Sequence, residues 1–274
     1  MKKFLLFIFS ILAIFLNSQV VLAENKHVKF VQVSDIHYLT RNDYIQEKIK
    51  ALVDNINNLK NVDFVVFTGD NIDFANSEYL QEFLSQVEGI RVPCYFVIGN
   101  HDVSEFDGLN KEKYMQIVHS YNKNHPTNVG NYTFKKNGIL FVVVDGAKQK
   151  IPSANGYYRK ETLEWLDKTL SENINSPVII LQHFPVYVPE IKNDILPYKV
   201  ENYIGVIDKY ENINAIISGH IHTNKEVMCN GIYHLTAPAF CDEPHYYKII
   251  DVIVGKDILP MVFTDLQTID SNLE

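Results

Sequence analysis

Short apolar runs rich in Val, Ile and Phe recur along the chain at residues 28–33, 62–67, 92–98, 178–181 and 213–217. Runs of this length and composition predict buried strands. Between them the pattern changes to helical spacing. Ile45, Ile49, Leu52, Val53, Ile56 and Leu59 share one helix face behind a cap at Asn42 or Asp43, and Leu80, Phe83, Leu84 and Val87 share another after Ser77. Further helices are expected over residues 111–121, 161–170 and 199–210, and further strands over 139–144, 232–236, 246–254 and 261–263. Strands alternating with helices early, and a strand-rich later part, predict a mixed α/β layered architecture. No repeat, low-complexity tract or composition shift marks a linker, so residues 24–274 read as one unit.

The first 23 residues have a different pattern. Met1-Lys2-Lys3 precedes an apolar stretch over residues 4–16 broken only by Ser10, and the polar Asn17-Ser18-Gln19 follows. Val21 and Ala23 supply the small residues expected at −3 and −1 of a cleavage site. The expectation is a signal peptide over 1–23, a mature chain from Glu24, and a secreted or periplasmic (extracytoplasmic) location. An uncleaved anchor is the alternative, but the apolar stretch is short of the ~20 residues that span a bilayer. No stable membrane insertion is expected once the segment is removed.

Charge narrows the substrate. Asp and Glu number 33 against 25 Lys and Arg, for a net charge of −8, and the only arginines are Arg41, Arg91 and Arg159. A protein that works along nucleic acid shows a basic stripe. Here there is none, so no nucleic-acid polymer is expected and small substrates are favoured. Three cysteines, Cys94, Cys229 and Cys241, are too few for a disulfide framework. Cys229 and Cys241 flank an expected hairpin and could pair in an oxidising compartment, or be small apolar residues with no bond.

Each of the five runs ends in metal-ligand residues: Asp35-Ile36-His37, Gly69-Asp70-Asn71-Ile72-Asp73, Gly99-Asn100-His101-Asp102, Gln182-His183 and Gly219-His220-Ile221-His222. In open α/β sheets ligands gather beyond the carboxyl ends of the strands. Five loops can therefore meet at one point. Phosphoryl chemistry assisted by two cations ~3.5–4 Å apart needs a bridging anion and a full set of O and N ligands. Asp70, with two carboxylate oxygens in a Gly-Asp turn, is the natural bridge. Asp35 and His37 can serve one site only if their strand breaks there; Gly219 and Gly99 are expected to allow the sharp exits beside His220, His222 and Asn100.

This motif set resembles the calcineurin-like metallophosphoesterase superfamily, whose pattern is Asp-x-His, Gly-Asp-x-x-Asp, Gly-Asn-His-Asp/Glu, His, Gly-His-x-His. The resemblance runs from Asp35 to His222 and implies a four-layer α/β/β/α sandwich with mixed sheets and a dinuclear metal site at strand-end loops. It places Asp35, His37 and His222 on one metal, Asn100, His183 and His220 on a second, and Asp70 between them. The ions would be Mn, Fe, Zn or related metals, which imidazole and carboxylate ligands without thiolate do not distinguish. His101 would stabilise the phosphoryl group or protonate the leaving oxygen, with Asp102 orienting its imidazole. The nucleophile would be a hydroxide shared by the metals, attacking in line.

Asp73 stands where the purple acid phosphatase branch has a ligand Tyr, which argues against an Fe(III)-tyrosinate; it is expected instead to accept a hydrogen bond from a ligand. Gly156 and Trp165-Leu166 match a fold signature of the family. The motif set and length lean toward the class III cyclic-nucleotide phosphodiesterase-like branch. The leading expectation is an exported metal-dependent phosphoesterase acting on small, nucleotide-like phosphodiesters or phosphomonoesters. A metal-binding pseudoenzyme or exported interaction protein on the same scaffold is the alternative, although no ligand is lost, and a nuclease is the lesser one. Substrate choice is expected in the loops at 104–108, 122–129 and 186–197.

Overall fold

The structure, a computed structural model, describes residues 25–39, 42–122, 125, 129–189, 195–255 and 258–269. The expected signal peptide and the Glu24 start lie outside the described residues, as do parts of the loops at 122–129 and 186–197. No helix among the described residues is long and apolar enough to cross a membrane.

Two sheets carry the fold. The first contains β1 (Lys26–Val33), β2 (Phe64–Phe67), β3 (Cys94–Phe96), β10 (Tyr246–Gly255) and β11 (Ile258–Thr268), in the order β11-β10-β1-β2-β3. The second contains β4 (Tyr132–Lys136), β5 (Ile139–Val144), β6 (Val178–Gln182), β7 (Ile213–Ser218), β8 (Lys225–Cys229) and β9 (Ile232–Thr236), in the order β4-β5-β6-β7-β9-β8. β1, β2 and β3 run parallel, and so do β5, β6, β7 and β9, while the remaining pairings are antiparallel. Within each parallel set all carboxyl ends face one way. That is what brings the five motif loops to one edge.

The period-two alternation of the second sheet separates two cores. Ile139, Phe141 and Val143 of β5 point into the larger core, where Phe141 meets Phe30 and Phe64 of the first sheet edge-on at 5.7 and 5.0 Å. Leu140, Val142 and Val144 point the other way. They pack under α4 (Lys160–Glu172) and α5 (Val200–Ile207), with Leu166 and Tyr203 as buried contacts. The first sheet is covered by α1 (Asp43–Asn58), α2 (Ser77–Val87) and α3 (Lys111–Tyr121), whose apolar stripes join the larger core. The result is the four-layer α/β/β/α sandwich with mixed sheets.

Asn42 is the cap of α1, its side chain accepting from the Ile45 N–H at 3.3 Å. Some elements differ from expectation. The run at 92–98 yields only the strand Cys94–Phe96, because Val97 onward already turns toward the third motif loop. The helix expected over 199–210 is shorter, Val200–Ile207, with Lys199 left-handed at its start. β4 and β8 were not expected. Both are short sheet-edge strands with charged residues among few apolar ones, a composition that blunts edges and hides the strand pattern.

The cysteines follow the unbonded alternative. All three are free thiols. Cys229 pairs with Ile232 beside the turn of the β8–β9 hairpin, whereas Cys241 lies beyond Thr236 at the opposite end. Five strand residues, roughly 17 Å, separate those ends.

Candidate metal centre

Loops continue the ladder of the strands before they turn. The Asp35, His37 and Tyr38 N–H groups donate to the carbonyls of Gly69, Asp70 and Asn71, at 3.1, 2.9 and 3.1 Å. In the second sheet the Gly219 N–H donates to the His183 carbonyl at 2.9 Å. The sharp exits are made by the ligand residues themselves. Asp35, His37, Asp70, His220 and His222 all take left-handed backbone, with φ between 49° and 72°. That conformation costs roughly 1–2 kcal/mol for each residue with a Cβ, and the inter-loop hydrogen bonds help hold it.

Gly99 and Gly219 therefore do not serve as turn residues, and neither has positive φ. They serve close approach. A Cβ on Gly99 would collide with the carboxylate and backbone nitrogen of Asp70, and one on Gly219 with Ser34 Oγ and the Asp35 carboxylate.

Three of the motif side chains, Asp35, His37 and His222, come together with atoms that could share one cation. Asp35 is fully buried, accepts from Ser34 Oγ at 2.5 Å and from the His220 backbone N–H at 3.0 Å, and lies 3.5 Å from His222 Nε2. A second group consists of Asp70, His183 and His220. Asn100 Oδ1 joins it, 3.2 Å from His183 Nε2. The groups meet at one atom. Asp70 Oδ2 is 3.2 Å from His183 Nε2 and 3.9 Å from His37 Nε2, while Oδ1 accepts the His101 backbone N–H at 2.9 Å. A single oxygen is thus common to both sets, and the other orders the third loop.

Charge follows the same plan. Burial opposes ionisation of Asp70, but His183, His101 and His37 outweigh it and hold the carboxyl well below the usual carboxylate range. Burial also disfavours a charged His183, yet the Asp70 carboxylate lifts its pKa to about 9. His220 goes the other way: burial, then His183, lowers it to about 4. His222 is raised, first by its hydrogen bond to Asp35.

A buried imidazole nitrogen without a partner is costly. His37 Nε2 and His220 Nε2 are both in that state. Each set holds one of them. Imidazole nitrogens gathered with carboxylate oxygens, with no thiolate among the two sets, are the donor chemistry of a divalent or trivalent transition metal. The residues fit the group.

Supporting contacts fix the imidazoles from behind. His183 Nδ1–H donates to the Thr68 carbonyl at 2.8 Å, and His37 Nδ1 pairs with Asp73 Oδ1 at 3.0 Å. Such contacts set the tautomer and ring orientation of a metal-binding histidine. His101 Nδ1–H donates to the Asp73 backbone carbonyl at 2.8 Å, which leaves Nε2 for a substrate. His101 also lies close enough to His37 and Asp70 to form a third possible group of donors.

Asp102 does not orient His101. Its carboxylate accepts the backbone N–H groups of Gly99, Asn71 and Ile72 at 2.7, 2.8 and 3.1 Å, and the Asn71 side-chain amide at 3.1 Å. The carboxylate is turned inward to fasten the second and third motif loops together. Burial and then the Asp70 charge push it up to about 7, and the N–H groups of Gly99 and Ile72 pull it back.

One contributor escaped sequence reasoning. The loop after β9 ends beside the centre, with the Cys241 N–H donating to the Asp35 carbonyl at 3.2 Å and Asp242 Oδ2 3.4 Å from His222 Nδ1. The apolar run at 232–236 was a signal, since it too ends at the same edge. His125, His234 and His245 are buried outside the centre.

A family model described as calcineurin-like phosphoesterase matches residues 28–224. Relatives in sequence include a probable glycerophosphodiester phosphodiesterase of Arcobacter nitrofigilis, 29% identical over 225 residues and 76% of each chain. Another is a 3′,5′-cyclic-nucleotide phosphodiesterase of Nostoc, 24% identical over 229 residues and 80% of each chain. Among solved structures, a dimetal phosphatase from Danio rerio superposes with a TM-score of 0.68 at 18% identity, over 86% of this chain and 98% of that one. A purple acid phosphatase from yellow lupin gives 0.62 at 13% identity, over 90% and 52%. At those identities the structural likeness is one of fold. Matched over residues 28–224, a span that holds all five strand-end loops, the chain belongs to the calcineurin-like phosphoesterases, metal-dependent hydrolases of phosphoric esters.

Proposed function

We propose that this protein hydrolyses small, nucleotide-like phosphodiesters or phosphomonoesters at a two-metal centre. Asp35, His37 and His222 would hold one ion, Asn100, His183 and His220 the other, and Asp70 both. The observation that carries this reading is the single oxygen, Asp70 Oδ2, facing two histidine sets that each contain an unpartnered buried nitrogen. The phosphodiesterase names of the relatives from Arcobacter and Nostoc support diesters.

When bound, the two ions supply Lewis acidity at the phosphoryl oxygens and a water acidic enough to attack near neutral pH. The chain supplies the rest. Asp70 holds the third loop through the His101 N–H, and Asp73 holds the imidazoles of both His37 and His101. With Nδ1–H committed to the Asp73 carbonyl, His101 Nε2 can carry the proton that the departing alkoxide needs. All expected ligands are present, which favours an enzyme over a pseudoenzyme. The reading is tested by hydrolysis of a chromogenic diester and a monoester with Mn²⁺; no turnover of either by the fully metal-loaded protein would sink it.

Metal uptake should depend on pH through His183. A raised pKa means that the metal-free protein holds an imidazolium there at neutral pH. That proton must leave before the nitrogen can ligate. Apparent affinity should therefore fall as pH falls below about 9, by up to about tenfold per unit from this group, with proton release on binding. Titration calorimetry in buffers of different ionisation enthalpy measures the released proton; uptake with no proton release between pH 6 and 8 would contradict the assignment of His183.

Export is part of the proposal and rests on the pattern of residues 1–23. The expected outcome is an amino terminus at Glu24 in protein recovered outside the cytoplasm, read by intact-mass spectrometry. Full-length protein confined to the cytoplasm would contradict it.

A further inference from the structure

The cleft beside His101 has walls that metal chemistry does not explain. Asn100 and His101 form its inner rim, and it opens outward between residues 73–75, the turn at 103–107 and the loop at 152–154, enclosing about 330 Å³. Phe74, Ala75, Val103, Pro152 and Ala154 give it an apolar lining. Phe74 directly follows Asp73, whose carbonyl holds His101, yet its side chain is left 61% exposed. An exposed aromatic at the mouth of a hydrolytic centre offers a flat face to a ligand.

Two of the polar lining side chains bond within the chain. Ser104 Oγ accepts the Asp107 N–H at 3.3 Å, and Ser153 Oγ–H donates to the Asn155 carbonyl at 3.1 Å. The lining carboxylates are those of Asp73 and Asp107, and no Lys or Arg among the described residues lines the cleft. A second phosphate or a carboxylate would find no cation there.

We propose that this cleft seats the leaving alcohol and selects an uncharged, flat apolar or aromatic group, with Phe74 as the recognising contact. The inference rests on the proposed role of His101 at the leaving oxygen. In the step it serves, a water oxygen bonds to phosphorus and the bond from phosphorus to the alcohol oxygen breaks. The alcohol takes its proton from His101 and departs through the cleft. Selection then falls on the leaving group and not on the substituent that stays on phosphorus, so diesters and monoesters share one preference.

The test compares methyl 4-nitrophenyl phosphate, whose leaving group is aromatic, with glycerophosphoethanolamine, read as glycerol release, in the Mn²⁺-loaded wild type and two variants. Phe74→Ala should raise KM for the aryl ester about fivefold to tenfold with kcat little changed, and leave glycerol release within about twofold. Ala154→Trp, at an exposed lining position in the loop at 152–154, should lower kcat/KM for the aryl ester and spare glycerol release. Metal content should match wild type in both, which excludes a collapsed centre. Equal losses on both substrates, or no change on either, in Phe74→Ala would overturn it. A metal-loaded wild type inactive on both esters would instead overturn the phosphoesterase reading beneath it.

Discussion

Asp70→Ala is expected to abolish metal-dependent hydrolysis, with turnover falling by about 10³-fold or more and the protein unable to retain a pair of ions. The size of the effect follows from the position of one atom. Asp70 Oδ2 faces both histidine sets, so its loss removes a negative ligand from both at once. Two cations held close together repel, and a bridging carboxylate is what makes the pair tolerable. Several kcal/mol of charge stabilisation disappear with it, and each 1.36 kcal/mol is tenfold in rate. The side chain also gives up the His101 N–H. The fold should survive, because Asp102 still fastens Gly99 to Asn71 and Ile72. Circular dichroism with metal analysis by mass spectrometry checks both halves. A folded Asp70→Ala protein that keeps two ions and a rate within tenfold of wild type would refute the assignment.

The second large effect is expected at His101. His101→Ala should keep both ions and lose about 10²- to 10⁴-fold in kcat, the range for a positioned acid–base group. The side chain is 41% exposed and held through Nδ1 by the Asp73 carbonyl, so removing it opens no core cavity. The loss should be smallest for substrates whose leaving group is already acidic, such as 4-nitrophenol, and largest for alkyl esters, since a weakly basic leaving oxygen needs no proton. Because His101 also lies near His37 and Asp70, metal content separates two roles. Loss of an ion along with activity would make His101 a ligand. An unchanged rate on an alkyl ester would remove it from the mechanism.

What sequence reading captured, and what it missed, divides along a physical line. Buried strands are conspicuous as apolar runs, and a His, Asp or Asn placed directly after one stands out against them. That contrast made the five motif loops legible, and the family resemblance singled out the seven expected ligands among them, from Asp35 to His222. The parallel strand directions explain why the loops converge. Backbone groups carry no such signature. The carbonyl that holds His101 belongs to Asp73, while the neighbouring Asp102, chemically just as suited, turns inward to N–H groups of another loop. Nothing in the residue types says that a backbone carbonyl, and not the adjacent carboxylate, will hold the imidazole.

The glycines show the same limit. Gly99 and Gly219 suggested turns, but the turns are made by Asp35, His37, Asp70, His220 and His222, and the glycines leave room for the Asp70 and Asp35 carboxylates. Contacts between loops distant in sequence decide this. The short edge strands β4 and β8, and Asp242 beside His222, were missed because their patterns are brief and largely polar.

The central claim is that two ions act together through Asp70, and the most direct measurement adds Mn²⁺ in increments to metal-stripped protein while diester hydrolysis and electron paramagnetic resonance are followed together. Little activity is expected through the first equivalent, then a rise that saturates near about two, with an exchange-coupled dinuclear signal that tracks the rise. Full activity at one equivalent, with only the spectrum of isolated Mn²⁺ throughout, would contradict it.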